Sequence, residues 1–172
     1  YSNEESIELT VYTADKFEKV AEENLPLVVL EETVTLGELF TAVQGANIHS
    51  AITVKVNGNT VKENLTASDW AAYELTFTEV GEAVVEIKEN YSTEETVTFT
   101  VKNKFTTAAA EKTVKADETF ELNTMFGVVD ANVTLGEVGI TVTDTEGNAA
   151  DNSTYSLTSN DTWSARALKF LK

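Results

Sequence analysis

The sequence contains no cysteine, a single proline (Pro26), a single histidine (His49) and eight glycines. Without cysteine there is no disulfide, no thiolate metal site and no cysteine nucleophile. So little proline and glycine excludes collagen-like and proline-rich linker material. A lone histidine has no second histidine or cysteine with which to share catalysis or zinc ligation. His49 in Asn47-Ile-His-Ser50 is therefore read as a turn or surface residue. No glycine-rich phosphate loop, nucleophile elbow or paired-histidine motif is present, which argues against an enzyme. No apolar run approaches the roughly 20 residues of a membrane helix, so membrane insertion is not expected. No signal peptide is visible, and the chain reads as a mature or excised segment.

Basic residues are also scarce. Twelve Lys and Arg stand against 29 Asp and Glu, a net charge of −17. A phosphate backbone must be met by basic side chains, so nucleic acid is excluded as a partner. The acidity is uneven. Residues 1–101 carry 19 acids and 5 bases, net −14; residues 102–172 carry 10 and 7, net −3.

What the chain has in abundance is threonine in alternating runs. Ile7-Glu-Leu-Thr-Val11, Ile52-Thr-Val-Lys-Val56, Val97-Thr-Phe-Thr-Val101 and Ile140-Thr-Val-Thr143 place apolar residues at every second position. That period, with β-branched and aromatic residues, predicts half-buried antiparallel strands. Asn57-Gly58 after the second run predicts a type I′ hairpin with the partner strand beginning near Thr60. Leu36-Gly-Glu-Leu-Phe40 and Leu122-Asn-Thr-Met-Phe126 have helix-like spacing and predict short helical turns, capped by Thr35 and Asn123. Asp15–Asn24 and Thr106–Ala110 are read as linker or strand-entry segments.

The chain also repeats itself. Tyr1–Val11 returns as Tyr91–Val101, with six of eleven positions identical. Phe17 corresponds to Phe105, Glu32–Leu36 to Glu118–Leu122, Phe40 to Phe126 and Ile52-Thr-Val to Ile140-Thr-Val. Asn57-Gly-Asn59 corresponds to Glu146-Gly-Asn148. Trp70, Leu75 and Phe77 correspond to Trp163, Leu168 and Phe170. Landmarks in a constant order signify tandem structural units. The expected fold is all-β, tandem immunoglobulin-like sandwiches. Residues 1–11 form the last strand of a preceding repeat, 12–101 a first domain with Trp70, Phe77, Val85 and Phe99 inward, and 102–172 a second domain incomplete at its C-terminus. The second lacks counterparts of residues 80–101 and is expected to expose an apolar face.

Val80-Gly-Glu-Ala-Val-Val-Glu-Ile87 resembles the Gly-Thr-Ala-Thr-Val-Thr-Ile style of strand entry in bacterial Ig-like repeats, as does the order of a Trp, an apolar strand, Gly and an alternating strand. The resemblance implies an extracellular setting, on the bacterial cell surface or secreted, as a stalk or adhesive arm. The rival readings are a module binding host glycan or protein through its loops, and a filament subunit self-associating through edge strands by donation of Tyr1–Val11.

The metal candidates are Asp144, Glu146, Asn148 and Asp151. Oxygen-bearing side chains at alternate positions around a glycine suit a hard cation such as Ca²⁺. The loop lacks the closing glutamate and flanking helices of an EF-hand, and a solvated hairpin turn is the preferred reading. The pairs Glu4-Glu5, Glu22-Glu23, Glu31-Glu32 and Glu94-Glu95 are read as solvated strand ends, because adjacent strand residues face opposite ways. Trp70 and Trp163 are read as core rather than as a carbohydrate platform. Asn-x-Ser/Thr triplets at Asn64, Asn90, Asn132, Asn152 and Asn160 follow from threonine-rich composition. A Lys–Asn isopeptide crosslink would need a buried Lys, Asn and acid, which the sequence does not reveal.

Overall fold

The computed structural model describes residues 15–49, 51–107, 113–132, 135, 138–151, 153–157, 163 and 166–171. Tyr1–Val11 lies outside them. The chain is all-β and divides into two compact units, Tyr1–Val101 and Lys102–Lys172.

Unit 1 begins with β1 (Phe17–Lys19), then β2 (Thr33–Thr35), α1 (Leu36–Leu39), β3 (Phe40–Ala42), β4 (Ile52–Val56) and β5 (Asn59–Leu65). β6 (Glu74–Thr76), β7 (Gly81–Glu89) and β8 (Glu95–Val101) follow. All pairings are antiparallel. β1 pairs with β3 and β2 with β6, while β5-β4-β7-β8 form a four-stranded sheet. Period-2 alternation sends Ala83, Val85 and Ile87 of β7 and Val97 and Val101 of β8 to one face. There they join Phe17, Leu36, Phe40, Ile52, Val54, Trp70, Leu75 and Phe77 in one buried cluster, with Phe99 half-buried against it. Phe99 meets Phe77 edge-on at 5.4 Å between ring centroids, an arrangement that satisfies both ring quadrupoles.

The local chemistry sets the connections. Asn57 and Gly58 have φ of 49° and 77°, the double positive φ that closes a type I′ hairpin between β4 and β5. Thr35 and Glu38 form a capping box at α1: the Glu38 carboxylate accepts from the Thr35 amide at 2.7 Å and from its hydroxyl at 2.8 Å. This satisfies donors that a helix start leaves open. The outer strand β5 carries register irregularities, the exposed charges Lys62 and Glu63, and Asn64 at φ 57°. Charge and irregularity on an edge strand discourage pairing with another chain.

Glu94 is not simply a solvated strand end. Its Oε2 lies 2.6 Å from Lys55 Nζ on the neighbouring β4. The hydrogen bond from Lys55 holds the Glu94 carboxyl below its usual 4.5. A carboxyl whose pKa is lowered on folding adds stability above its unfolded pKa, and this is lost as pH falls through the lowered value. Glu94→Gln should therefore flatten the loss of melting temperature below about pH 4.5, read from thermal scans across an acid series. The effect is small, because both side chains are a third exposed and solvent screens the pair.

Unit 2 contains β9 (Phe105–Thr107), β10 (Thr119–Glu121), β11 (Phe126–Val128), β12 (Tyr155–Leu157) and β13 (Ala167–Phe170). The repeat holds at the level of strand register. Lys19 pairs with Phe40 and Phe17 with Ala42 in unit 1; Thr107 pairs with Phe126 and Phe105 with Val128 in unit 2. Val34 faces Leu75 as Phe120 faces Leu168. The amide of Leu36 donates to Tyr73 O, and that of Leu122 to Arg166 O, both at 2.9 Å. Glu31 and Asp117 both adopt positive φ, 61° and 67°, and donate to Phe77 O and Phe170 O.

Two expectations are corrected in unit 2. Ile140–Thr143 is not a strand; only Thr143 makes a bridge, to Ala149. In unit 1 the equivalent β4 is held on both sides, by β5 and β7. Among the described residues unit 2 has no counterpart of β7, and Tyr155–Leu157 pairs with the edge of β13 instead. Backbone groups with no neighbouring ladder have nothing to hold them extended. Asn123 is likewise not a cap. It lies inside the 3₁₀ turn Leu122–Thr124, whose preceding residue Glu121 makes no side-chain capping bond.

Candidate functional site

Among the described residues of unit 2 lies an apolar groove of about 240 Å³. It is lined by Phe105 of β9, Phe126 of β11, Leu122 of the 3₁₀ turn, Val138–Thr141 and Trp163. Trp163 contacts Phe105 at 4.8 Å and Phe126 at 6.5 Å between ring centroids. Phe126 is 38% exposed. Among the described residues the lining is apolar apart from Thr141, which makes it a surface for apolar side chains.

The equivalents in unit 1 explain its origin. Phe17, Leu36, Phe40, Ile52 and Trp70 correspond to Phe105, Leu122, Phe126, Ile140 and Trp163, and all five are buried. Trp70 meets Phe17 edge-on at 5.0 Å, the counterpart of the Trp163–Phe105 contact. The two tryptophans thus share a partner but differ in cover. In unit 1 the same cluster includes Val85 and Ile87 of β7 and Val97 and Val101 of β8.

Trp70 is buried and offers no platform to a carbohydrate. The other sequence candidates stay apart. His49 is exposed; its amide donates to Glu89 Oε1 at 2.6 Å. Asp144 Oδ1 accepts the amides of Glu146 and Asn148, each at 2.9 Å, and Oδ2 faces Asn148 Nδ2 at 3.3 Å. These bonds, the Asn148 amide foremost, hold its carboxyl below the usual range. Asp151 serves a different turn, accepting from the Ser153 amide at 2.9 Å. Among the described residues no three acidic or histidine side chains gather as a metal site. Asp144 is therefore engaged in shaping its own turn. We expect Asp144→Ala to lower the melting temperature of unit 2 by the same amount with and without millimolar calcium. A calcium-dependent rise in the parent chain that the substitution abolishes would contradict this.

Asn64, Asn90 and Asn132 are exposed, while Asn152 and Asn160 lie outside the described residues. The buried polar side chains among the described residues are Glu89 and Ser92, so no lysine is placed there for an isopeptide crosslink. Sequence reasoning did not single out Glu89. It continues the inward series Ala83, Val85, Ile87, and that alternation was the available signal. Its burial is accommodated by the His49 amide, while Ser92 Oγ caps the strand end by accepting from the Glu89 amide at 3.1 Å.

No protein-family model, curated protein or solved structure matches this chain. The fold defines an all-β protein of two compact units made of small antiparallel sheets. Among the described residues no helix is long and apolar enough to cross a membrane.

Proposed function

We propose that the chain is a non-enzymatic segment of an extracellular, bacterial surface or secreted protein, a tandem array of Ig-like sandwiches working as a stalk or adhesive arm. The observation that carries this reading is the repeated register. Two strand pairings, a Trp–Phe contact and the positive-φ residue at Glu31 and Asp117 recur in the two consecutive units. Repeating a small β unit along a chain multiplies length and surface without building a reaction centre. The acidic surface favours solubility and repels nucleic acid.

The test is placement. Antibodies raised against the 172-residue chain should label intact cells of the source organism, and external protease should remove that label. Signal seen only after lysis would end the reading. A glycan array and a host-protein pulldown then separate the two roles. Uniform lack of binding assigns a spacer, and saturable binding assigns an adhesive arm.

A further inference from the structure

We propose that the turn joining β7 and β8 is a carbohydrate-binding tip, where the bare ring of Tyr91 stacks on the apolar face of a neutral sugar. The proposal rests on the adhesive reading above and gives it a site and a ligand class.

Tyr91 is 90% exposed, more than any other large hydrophobic side chain among the described residues. Its φ is 67°, in the left-handed region that Gly or Asn enters at little cost and a bulky residue does not. The turn is not loose. The Ser92 amide donates to Glu89 O at 3.1 Å, and Ser92 Oγ donates to the same oxygen at 2.9 Å. Glu89 and Ser92 are buried, and the His49 amide donates to Glu89 Oε1 at 2.6 Å. Thr93 Oγ1 donates to the Asp15 carboxylate. Tyr91 is thus held in a strained conformation while its ring adds nothing to the core. A bulky residue kept under strain at an exposed turn marks a place where the side chain serves something outside the fold.

The side chains that these bonds bring to the tip decide the ligand. Asn90 and Thr93 belong to the same connection, and the bond from His49 to Glu89 places the loop carrying exposed Asn47 and His49 beside it. These are amide, hydroxyl and imidazole groups that hydrogen-bond without a fixed charge. No other large hydrophobic side chain is exposed among the described residues of 45–49 and 89–93. A protein anchor sits at the centre of a packed interface with apolar neighbours, and a lone ring does not supply that. A pyranose matches instead. One of its faces presents C–H groups to the electron-rich ring, and its rim presents hydroxyls to the polar neighbours. Tyr makes such a contact at a low cost in side-chain freedom. Residues 1–101 carry a net charge of −14, which repels sialylated, sulfated and uronic sugars. The ligand is therefore a neutral hexose, or a glycan ending in one.

One ring and a few hydrogen bonds place the dissociation constant on the order of 1 mM. Titration of the isotopically labelled full chain with the methyl glycosides of glucose, galactose and mannose, each to about 20 mM, covers that range. At least one sugar should shift the amide resonances of residues 90–92 and of His49 saturably. Tyr91→Gly should weaken that binding about tenfold or more, whereas Tyr91→Trp should keep it. Gly accepts the backbone conformation of this turn, so Tyr91→Gly should melt within about 3 °C of the parent. Its loss of binding is then not a loss of fold. The uronic acid form of the preferred sugar should bind more weakly than the neutral one. No saturable shift with any of the three sugars overturns the proposal and leaves the tip to a protein partner. Binding that Tyr91→Gly leaves intact, or a preference for the uronate, overturns it as well. None of these results touches surface placement, which antibody labelling decides by itself, and failure here leaves the spacer role standing.

Discussion

Trp70→Ala should remove about 4 kcal/mol from the stability of unit 1, the usual scale for deleting a buried tryptophan. Small domains have roughly 5–15 kcal/mol in all, so the variant would be marginal or unfolded at ambient temperature. Trp70 is 7% exposed, buried within the cluster that includes Leu36, Phe40 and Val85, and meets Phe17 edge-on. Its removal leaves a cavity lined by rigid strands that cannot close around it. Trp163→Ala, at the equivalent position, should cost unit 2 only about 1–2 kcal/mol, because less apolar surface is removed from water in an open groove. Urea unfolding followed by circular dichroism, with the remaining tryptophan as a fluorescent reporter of its own unit, measures both. Equal losses would mean that the two sites are covered alike.

Gly37→Val is the second large effect, expected at about 3 kcal/mol. Gly37 lies in α1, where the helix packs against the 3₁₀ turn Trp70–Ala72. A Cβ at this position would stand 2.9 Å from the Ala71 carbonyl oxygen and 3.1 Å from its Cβ. The nearest obstacle is backbone, so no rotamer change relieves it. The helix must move away from Trp70, or the turn must open. Gly139→Ala, where an added Cβ meets nothing within 4 Å, should stay within about 0.5 kcal/mol of the parent. The thermal midpoints of the two variants decide the matter. A Gly37→Val chain as stable as Gly139→Ala would show that α1 and the turn are not in close contact.

Much of the architecture was legible because it is encoded locally. Asn57-Gly58 closes a hairpin by backbone conformation alone, and Thr35 with Glu38 caps a helix by reach alone. Alternation assigns faces, so the inward positions of β7 and β8 followed from the spacing of their apolar residues. Reading the repeat against itself aligned Phe17 with Phe105 and Trp70 with Trp163, and the strand registers keep that alignment. Asp144-Thr-Glu-Gly-Asn148 was legible as a turn, since an Asp side chain bonds to amides a few residues on.

The remainder depended on partners far along the chain. Ile140–Thr143 has the same alternation as Ile52–Val56, yet only the latter is a strand, because β5 and β7 flank it. Glu89 sits at an inward position that pattern would reserve for an apolar residue; the His49 amide, brought from another loop, makes its burial tolerable. Glu31 and Asp117 take positive φ without being glycine, where they donate to Phe77 and Phe170 from strands met much later. By itself the sequence determined strand faces, turns and the phase of the repeat, all properties of neighbouring residues. Only tertiary structure decided which alternating segments become strands, where a carboxylate is buried, and that the counterparts of unit 1 core residues line a groove in unit 2, since each depends on which distant segments pack together.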